Sequence, residues 1–306
     1  MAIAHYIKEI GRGKDGARAL TRAQAHDLFG QVLDGAVSDL EVGAFCLAMR
    51  IKGETAQEMA GFLDATYERL QPVPAADRPL VVIPSYNGAR KLPLLTPLLA
   101  LLLAREGLRV LIHGAASEST RVFTADVLAA LDIAPATAIG PVDAGTVVFA
   151  PTAVLCAGLQ RLLEVRRVVG LRNPAHSLVK LMNPGLGTNL LISSYTHPEY
   201  ALSMASTFEL MQSNALLLRG TEGEAVADPR RQPKMELFLR GVRQDTLPPQ
   251  AGSLDALPEL PRDIDAASTA AYIRAVLAGE RPVPQPIAAQ VAHVVQAETC
   301  LQGSPA

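Results

Sequence analysis

The sequence predicts an α/β protein in two parts: a small all-helical bundle, and a larger α/β domain whose mainly parallel mixed sheet is flanked by helices. Two patterns predict it. Up to about residue 70, apolar residues recur at helical spacing behind one capping signal after another. From Leu80 onward, short β-branched runs bounded by Gly and Pro alternate with helical stretches, as in βαβ units. The composition agrees: 306 residues, 49% hydrophobic and 19% charged, are enough to bury a large core and unlike a disordered chain.

In TRAQAHDLFGQVLDG, Ala25, Leu28, Phe29, Val32 and Leu33 form one apolar stripe, with Thr21 as N-cap and Gly35 as the stop. Ser38 followed by Glu41, and Thr55 followed by Glu58, are capping boxes that open the next two helices; the first of these ends at Gly53. QPVPAADRP reads as a Pro-rich linker. Beyond it LVVIP, RVLIHG and TVVFAP are strands, and TADVLAALDI is a helix between two of them. A second helical stretch follows Gly158, then strands at NLLISSY and ALLLRG, and finally two amphipathic helices, DAASTAAYIRAVLAGE and PIAAQVAHVVQAETCL.

Several function classes are excluded or narrowed. The formal charge of -2 gives no global attraction to nucleic acid, so any polyanion site is a local patch. Cys46, Cys156 and Cys300 follow no metal-ligand spacing and read as buried small hydrophobes of a reducing compartment. The opening MAIAHYIKEIGRGKDGAR lacks the apolar core of a signal peptide, and the apolar run from Leu92 to Ala104 is too short to span a bilayer. A cytoplasmic protein with no membrane partner is expected.

Four stretches carry a resemblance: FCLAMRIKGETAQEMAGF, VLIHGAASESTRVFTADVLAAL, the FAP of Phe149 to Pro151 with VRRVVGLRNPAHSLVKLMNP, and ALLLRGTEGEAVADPRR. Together they are similar to the anthranilate phosphoribosyltransferase and pyrimidine nucleoside phosphorylase superfamily. Within it they look most like the YbiB-type branch, described as nucleic-acid-binding proteins. The resemblance implies a small helical domain of residues 1–75 and 158–183 and a large α/β domain of residues 76–157 and 184–306. It also implies a homodimer formed through the small domain, a role that Phe45, Met49 and Phe62 would fit.

In the family, a Gly-Thr-Gly-Gly-Asp loop holds phosphoribosyl pyrophosphate (PRPP). Those positions fall on Pro84, Ser85, Tyr86, Asn87 and Gly88, where Pro and Tyr obstruct close approach by a pyrophosphate. The family's magnesium-holding Asp-Glu pair falls on Ala225 and Val226, with Glu222, Glu224 and Asp228 nearby. Neither a metal site nor a cofactor is expected, Mg²⁺ being needed only if transferase activity persists. His113, Ser117 and Arg172 are the remnants of family site residues, with Ser119 and Thr120 as further hydroxyls, and none of them is assigned catalysis. Structural roles stay open for His113 as a strand-end residue and for Ser117 to Thr120 as helix caps.

The cations are what remain. The stretch Gln160 to Lys180 carries a local net charge of +4 and Tyr86 to Arg121 one of +3, with a third group at Arg230, Arg231 and Lys234. The resemblance turns the first two stretches toward one cleft between the domains. Arg90, Lys91, Arg121, Arg166, Arg167, Arg172 and Lys180 are then the phosphate-contacting candidates, with Tyr86 and Tyr195 to stack on unpaired bases. The expected partner is single-stranded DNA or RNA, bound without sequence preference. Two other readings stay open: a glycosyltransferase of altered anionic substrate, and solvated helix faces with no ligand at all.

Overall fold

A computed structural model of the chain describes residues 3–13, 15–115, 120–252 and 257–303. After α1 (Ala4–Ile10), the helices α2 (Arg22–Leu33), α3 (Asp39–Lys52) and α4 (Ala56–Tyr67) start behind Thr21, Ser38 and Thr55. Each cap hydroxyl accepts the main-chain N–H of the third helical residue, and that residue's side chain accepts the cap's own N–H. Glu58 does more than complete its box. Its fully buried carboxylate also accepts from Leu20 N at 2.9 Å and from Lys52 Nζ at 2.7 Å, tying together the start of α2, the end of α3 and the start of α4.

Inside the bundle Phe29 stacks on Phe62 with ring centroids 4.6 Å apart, and Phe45 meets Phe62 edge-on at 6.0 Å. Phe45, Met49 and Phe62 are fully buried, which corrects their expected place on a dimer face. The apolar residues that α3 leaves in solvent are Leu40, Leu47 and Ile51, spaced along one helical face and 83%, 46% and 63% exposed.

The α/β region runs β1 (Leu80–Ser85), α5 (Thr96–Arg105), β2 (Arg109–Gly114), α6 (Thr124–Ala130) and β3 (Val147–Pro151). The chain then leaves the sheet through α7 (Thr152–Leu155), α8 (Ala157–Val169) and α9 (Ala175–Leu178); α8 packs on α2, and α9 on α4. It returns as β4 (Asn189–Tyr195), α10 (Pro198–Leu210) and β5 (Ala215–Arg219). A hairpin follows, β6 (Met235–Leu239) and β7 (Val242–Leu247), then α11 (Ala266–Leu277) and α12 (Gln285–Gln302).

The sheet order is β3-β2-β1-β4-β5-β6-β7, with parallel pairing from β3 through β5 and antiparallel pairing beyond. This is the mainly parallel mixed sheet that the sequence predicts. Pro84 is tolerated in the central strand because pairing of β1 with β4 ends at Val82, so no bond on that side asks for its missing N–H. Alternation along β1 divides the interior. Val81 and Ile83 join the core under α5, α11 and α12, while Leu80 and Val82 share a second, continuous core with the bundle.

Cys46 and Cys156 are buried as expected, but Cys300 lies exposed on α12. Among the described residues no helix is long and apolar enough to cross a membrane.

Removing the Glu58 carboxylate strands the Lys52 ammonium, whose side chain is 9% exposed, together with the Leu20 N–H. Glu58→Ala should therefore lower unfolding stability by about 3 kcal/mol or more, read from the denaturant midpoint at unchanged m-value.

Candidate functional site

In an open α/β sheet, ligands bind beyond the carboxyl ends of the strands where the strand order reverses, here between β1 and β4. The turn after β1 occupies that place. Its main-chain N–H groups do converge on anions, contrary to the expectation that Pro84 and Tyr86 abolish the cradle. The anions are the chain's own. Glu224 Oε1 accepts from Asn87 N at 2.7 Å and Gly88 N at 2.8 Å, and its Oε2 accepts from the hydroxyls of Ser85 and, at 3.2 Å, Thr96. Glu222 Oε2 accepts from three consecutive N–H groups, those of Arg90, Lys91 and Leu92, at 3.0, 3.1 and 3.2 Å. Five main-chain donors are thus saturated by two carboxylates from the loop that follows β5.

That loop is held on its other side. The Gly223 carbonyl accepts from Lys180 Nζ at 2.9 Å and from Ser194 Oγ at 2.8 Å, while Asn87 Nδ2 donates to the Glu222 carbonyl at 3.0 Å. Gly223 sits at φ +89°, and a Cβ there would overlap the Asn87 amide, so two requirements for glycine coincide. Burial lowers Lys180 to about 8, with Glu224 acting in the opposite direction. Arg121 donates to the Asn87 carbonyl at 2.8 Å and so braces the turn from behind.

His113 belongs to the fold rather than to a cleft. It is fully buried, and its Nε2 lies 3.2 Å from the Met182 carbonyl, which only accepts. The ring proton therefore sits on Nε2, and Nδ1 accepts from the Tyr86 hydroxyl at 2.7 Å. Burial holds His113 neutral, down to about 3. Tyr86 is 7% exposed with its hydroxyl committed to this bond, so it is not available to stack on a base.

The predicted cations do not form one group. Arg105 ends α5, and Arg109 begins β2 and is buried against the carbonyls of Val142, Arg78 and Pro74. Both lie at the opposite end of the sheet from Arg90 and Lys91, because α5 reverses the chain between two parallel strands. Arg90 is exposed beside the turn, and Arg166 is half-buried in the last turn of α8. Ser117 and Ser119 fall outside the described residues, and Thr120 is exposed.

Four of the remaining predicted cations, Lys91, Arg167, Arg172 and Lys180, line a cleft of three pockets joined through His176 and Tyr195, and Arg121 lines none of them. Arg167 borders a small pocket of about 10 Å³ with Tyr86 and His176. His176 also lines a cavity of about 410 Å³ between α3, α9 and α10 that takes in Arg50, Arg172 and Lys180. Tyr195 joins that cavity to a groove of about 620 Å³ walled by Lys91, Arg219, Arg230, Arg231 and Lys234. Nine cations face five carboxylates across the three, a local net of +4. Sequence reasoning missed Arg219 as a site residue, and its signal was present, since it closes the last parallel strand.

The residues do not fit the family's magnesium. Ala225 and Val226 are both 1% exposed and sit in the apolar core. The Glu224 oxygens already accept four hydrogen bonds, and among the described residues no group of three or more His, Cys, Asp or Glu is placed to hold a metal.

Residues 4–69 match the family model described as the glycosyl transferase family, helical bundle domain. The Escherichia coli K12 protein described as uncharacterized protein YbiB is 42% identical over 299 residues, covering 94% of this chain and 91% of its own. Anthranilate phosphoribosyltransferase of Methylobacterium nodulans is 29% identical over 291 residues, 90% and 82% of the two chains. Among solved structures, the Thermus thermophilus anthranilate phosphoribosyltransferase aligns with a TM-score of 0.71 at 24% identity, over 98% of this chain and 90% of that one. The Saccharomyces cerevisiae enzyme in complex with PRPP and Mg gives 0.70 at 14% identity, over 97% and 89%.

Between pH 6.5 and about 3 the unfolded chain takes up a proton on His113 that the folded chain refuses, so this residue makes stability fall as the solution is acidified through that window. In urea titrations at pH 7 and pH 5, His113→Gln should lose less stability on acidification than the wild type. An equal loss would place the acid sensitivity elsewhere.

Proposed function

Because the chain belongs to the anthranilate phosphoribosyltransferase and glycosyl transferase superfamily yet fills its own pyrophosphate turn with carboxylates, we propose that it binds nucleic acid, not a small phosphorylated substrate. The observation that carries this reading is the cleft's net charge of +4 in a chain whose total is -2. A cleft with a net positive charge attracts a polyanion without any base-reading element. Among the described residues Lys91, Arg219 and Arg231 make no ion pair, so their charge is available to phosphates. Tyr195, half-buried where cavity and groove meet, supplies a ring face for an unpaired base. Binding is independent of sequence and favours single strands of DNA or RNA.

The alternative, a transferase of altered anionic substrate, has less support. A pyrophosphate entering the turn would have to expel two carboxylates from five main-chain donors.

The protein acts as a homodimer, with the exposed Leu40, Leu47 and Ile51 of α3 as its contact and a doubled cleft as the result. Light scattering coupled to gel filtration should give a dimer for the wild type and a monomer for Leu47→Asp/Ile51→Asp; a wild-type monomer would refute it.

Fluorescence anisotropy of a labelled mixed-sequence strand tests the binding directly. The logarithm of affinity should fall linearly with the logarithm of salt, and Arg219→Glu and Arg231→Glu should each weaken binding to every sequence, roughly tenfold, and lower the salt slope by about one. No binding by the wild type at low salt would end this reading.

A further inference from the structure

Glu222 and Glu224 look alike in sequence and differ in how they are held. Glu224 is 1% exposed, both of its oxygens are satisfied, and it is sealed beneath the turn. Glu222 is half-buried and lies on the wall of the groove beside Lys91 and Arg231. Only its Oε2 receives the three N–H groups, and among the described residues nothing donates to its Oε1. Its backbone is at φ +52°, a left-handed conformation that costs a non-glycine residue energy and persists only where its surroundings hold it.

We infer that Glu222 is a displaceable internal ligand, whose carboxylate holds the nest formed by the N–H groups of Arg90, Lys91 and Leu92 in the free protein and yields it to a phosphate of a bound strand. The inference rests on the polyanion reading above and adds to it a defined phosphate position at the edge of the groove. Three N–H groups converging on one oxygen recognise an anion by charge and direction, and a phosphate oxygen meets the same demand as a carboxylate oxygen. Exchanging one for the other leaves the nest neutralised. It also places a phosphate within the groove lined by Arg219, Arg230 and Arg231. The turn does not collapse during the exchange, because Glu224 continues to hold Asn87 and Gly88.

Two full-chain variants separate charge from occupancy. Glu222→Gln removes the charge and leaves an amide oxygen in the nest, whereas Glu222→Gly removes the charge, empties the nest and suits the left-handed backbone. With the labelled strand, Glu222→Gly should bind several-fold more tightly than Glu222→Gln, because no side chain has to be displaced from the nest. Equal affinities for the two variants, both folded as judged by thermal melting, would overturn the inference. A calorimetric titration with inorganic pyrophosphate decides the nest independently of nucleic acid: Glu222→Gly should show saturable heat that Glu222→Gln lacks. If the wild type binds no strand but Glu222→Gly takes pyrophosphate, the polyanion reading fails and the nest stands. If Glu222→Gly takes neither, the nest is not an exchangeable anion site.

Discussion

The carboxylate of Glu224 in the turn after β1 is the contact on which the site depends. It joins main-chain groups at Asn87 and Gly88 to a loop some 137 residues later, and it does so fully buried, where a charge is tolerated only with its hydrogen bonds complete. Four donors complete them. With that anion in place the turn needs no glycine-rich sequence, since Gly88 alone takes the positive φ of +65° and Ser85 supplies a hydroxyl in place of a further N–H. Main-chain N–H groups aimed at an anion are the device of a phosphate-binding nest, and in this turn the anion comes from the chain itself.

The rest of the architecture keeps that contact at the mouth of a cleft. Alternating residues of β1 feed two cores, one closed by α5, α11 and α12 and the other continuous with the helical bundle. The bundle is therefore fixed against one face of the sheet, and the space left between α3, α9 and α10 is the cavity that holds Arg172 and Lys180. Lys180 belongs to both structures, because the ammonium that lines the cavity also grips the Gly223 carbonyl. Tyr195, at the end of β4, connects the cavity to the more cationic groove.

Much of the fold was legible because its signals are local. The capping boxes at Ser38 and Thr55 open α3 and α4, and the runs LVVIP and RVLIHG fall within β1 and β2, because the groups involved lie within a few residues of one another. The hairpin of β6 and β7 escaped notice. Its turn is Arg240-Gly241, in which the first residue adopts a positive φ of 50° without being Asn, Asp or Gly. The site was legible only in part. Charge summed along Tyr86 to Arg121 misleads, because one helical reversal sends Arg105 and Arg109 to the far end of the sheet. Phe45 and Met49 share a helix with Leu47 and Ile51, and which face meets the bundle is decided by the tertiary packing. Nothing in the letters of the turn predicts that its N–H groups would receive Glu222 and Glu224.

Tethering has a quantitative consequence for the two carboxylates of this turn. A group fixed to the same chain is present at its site at an effective concentration that, for short connections, begins in the millimolar range and rises with rigidity. The loop carrying Glu222 and Glu224 is short and is held at Gly223 from two sides, so it lies at the rigid end of that range. A dilute, freely diffusing diphosphate competes with it at a standing disadvantage. On the proposed reading a polymer would not, because each phosphate docked on the neighbouring cations would bring the next one to the turn at a comparable local concentration. The turn would then discriminate by chain length: single anions would be held off by an occupant tethered to the molecule, while a strand would arrive with the same advantage of tethering.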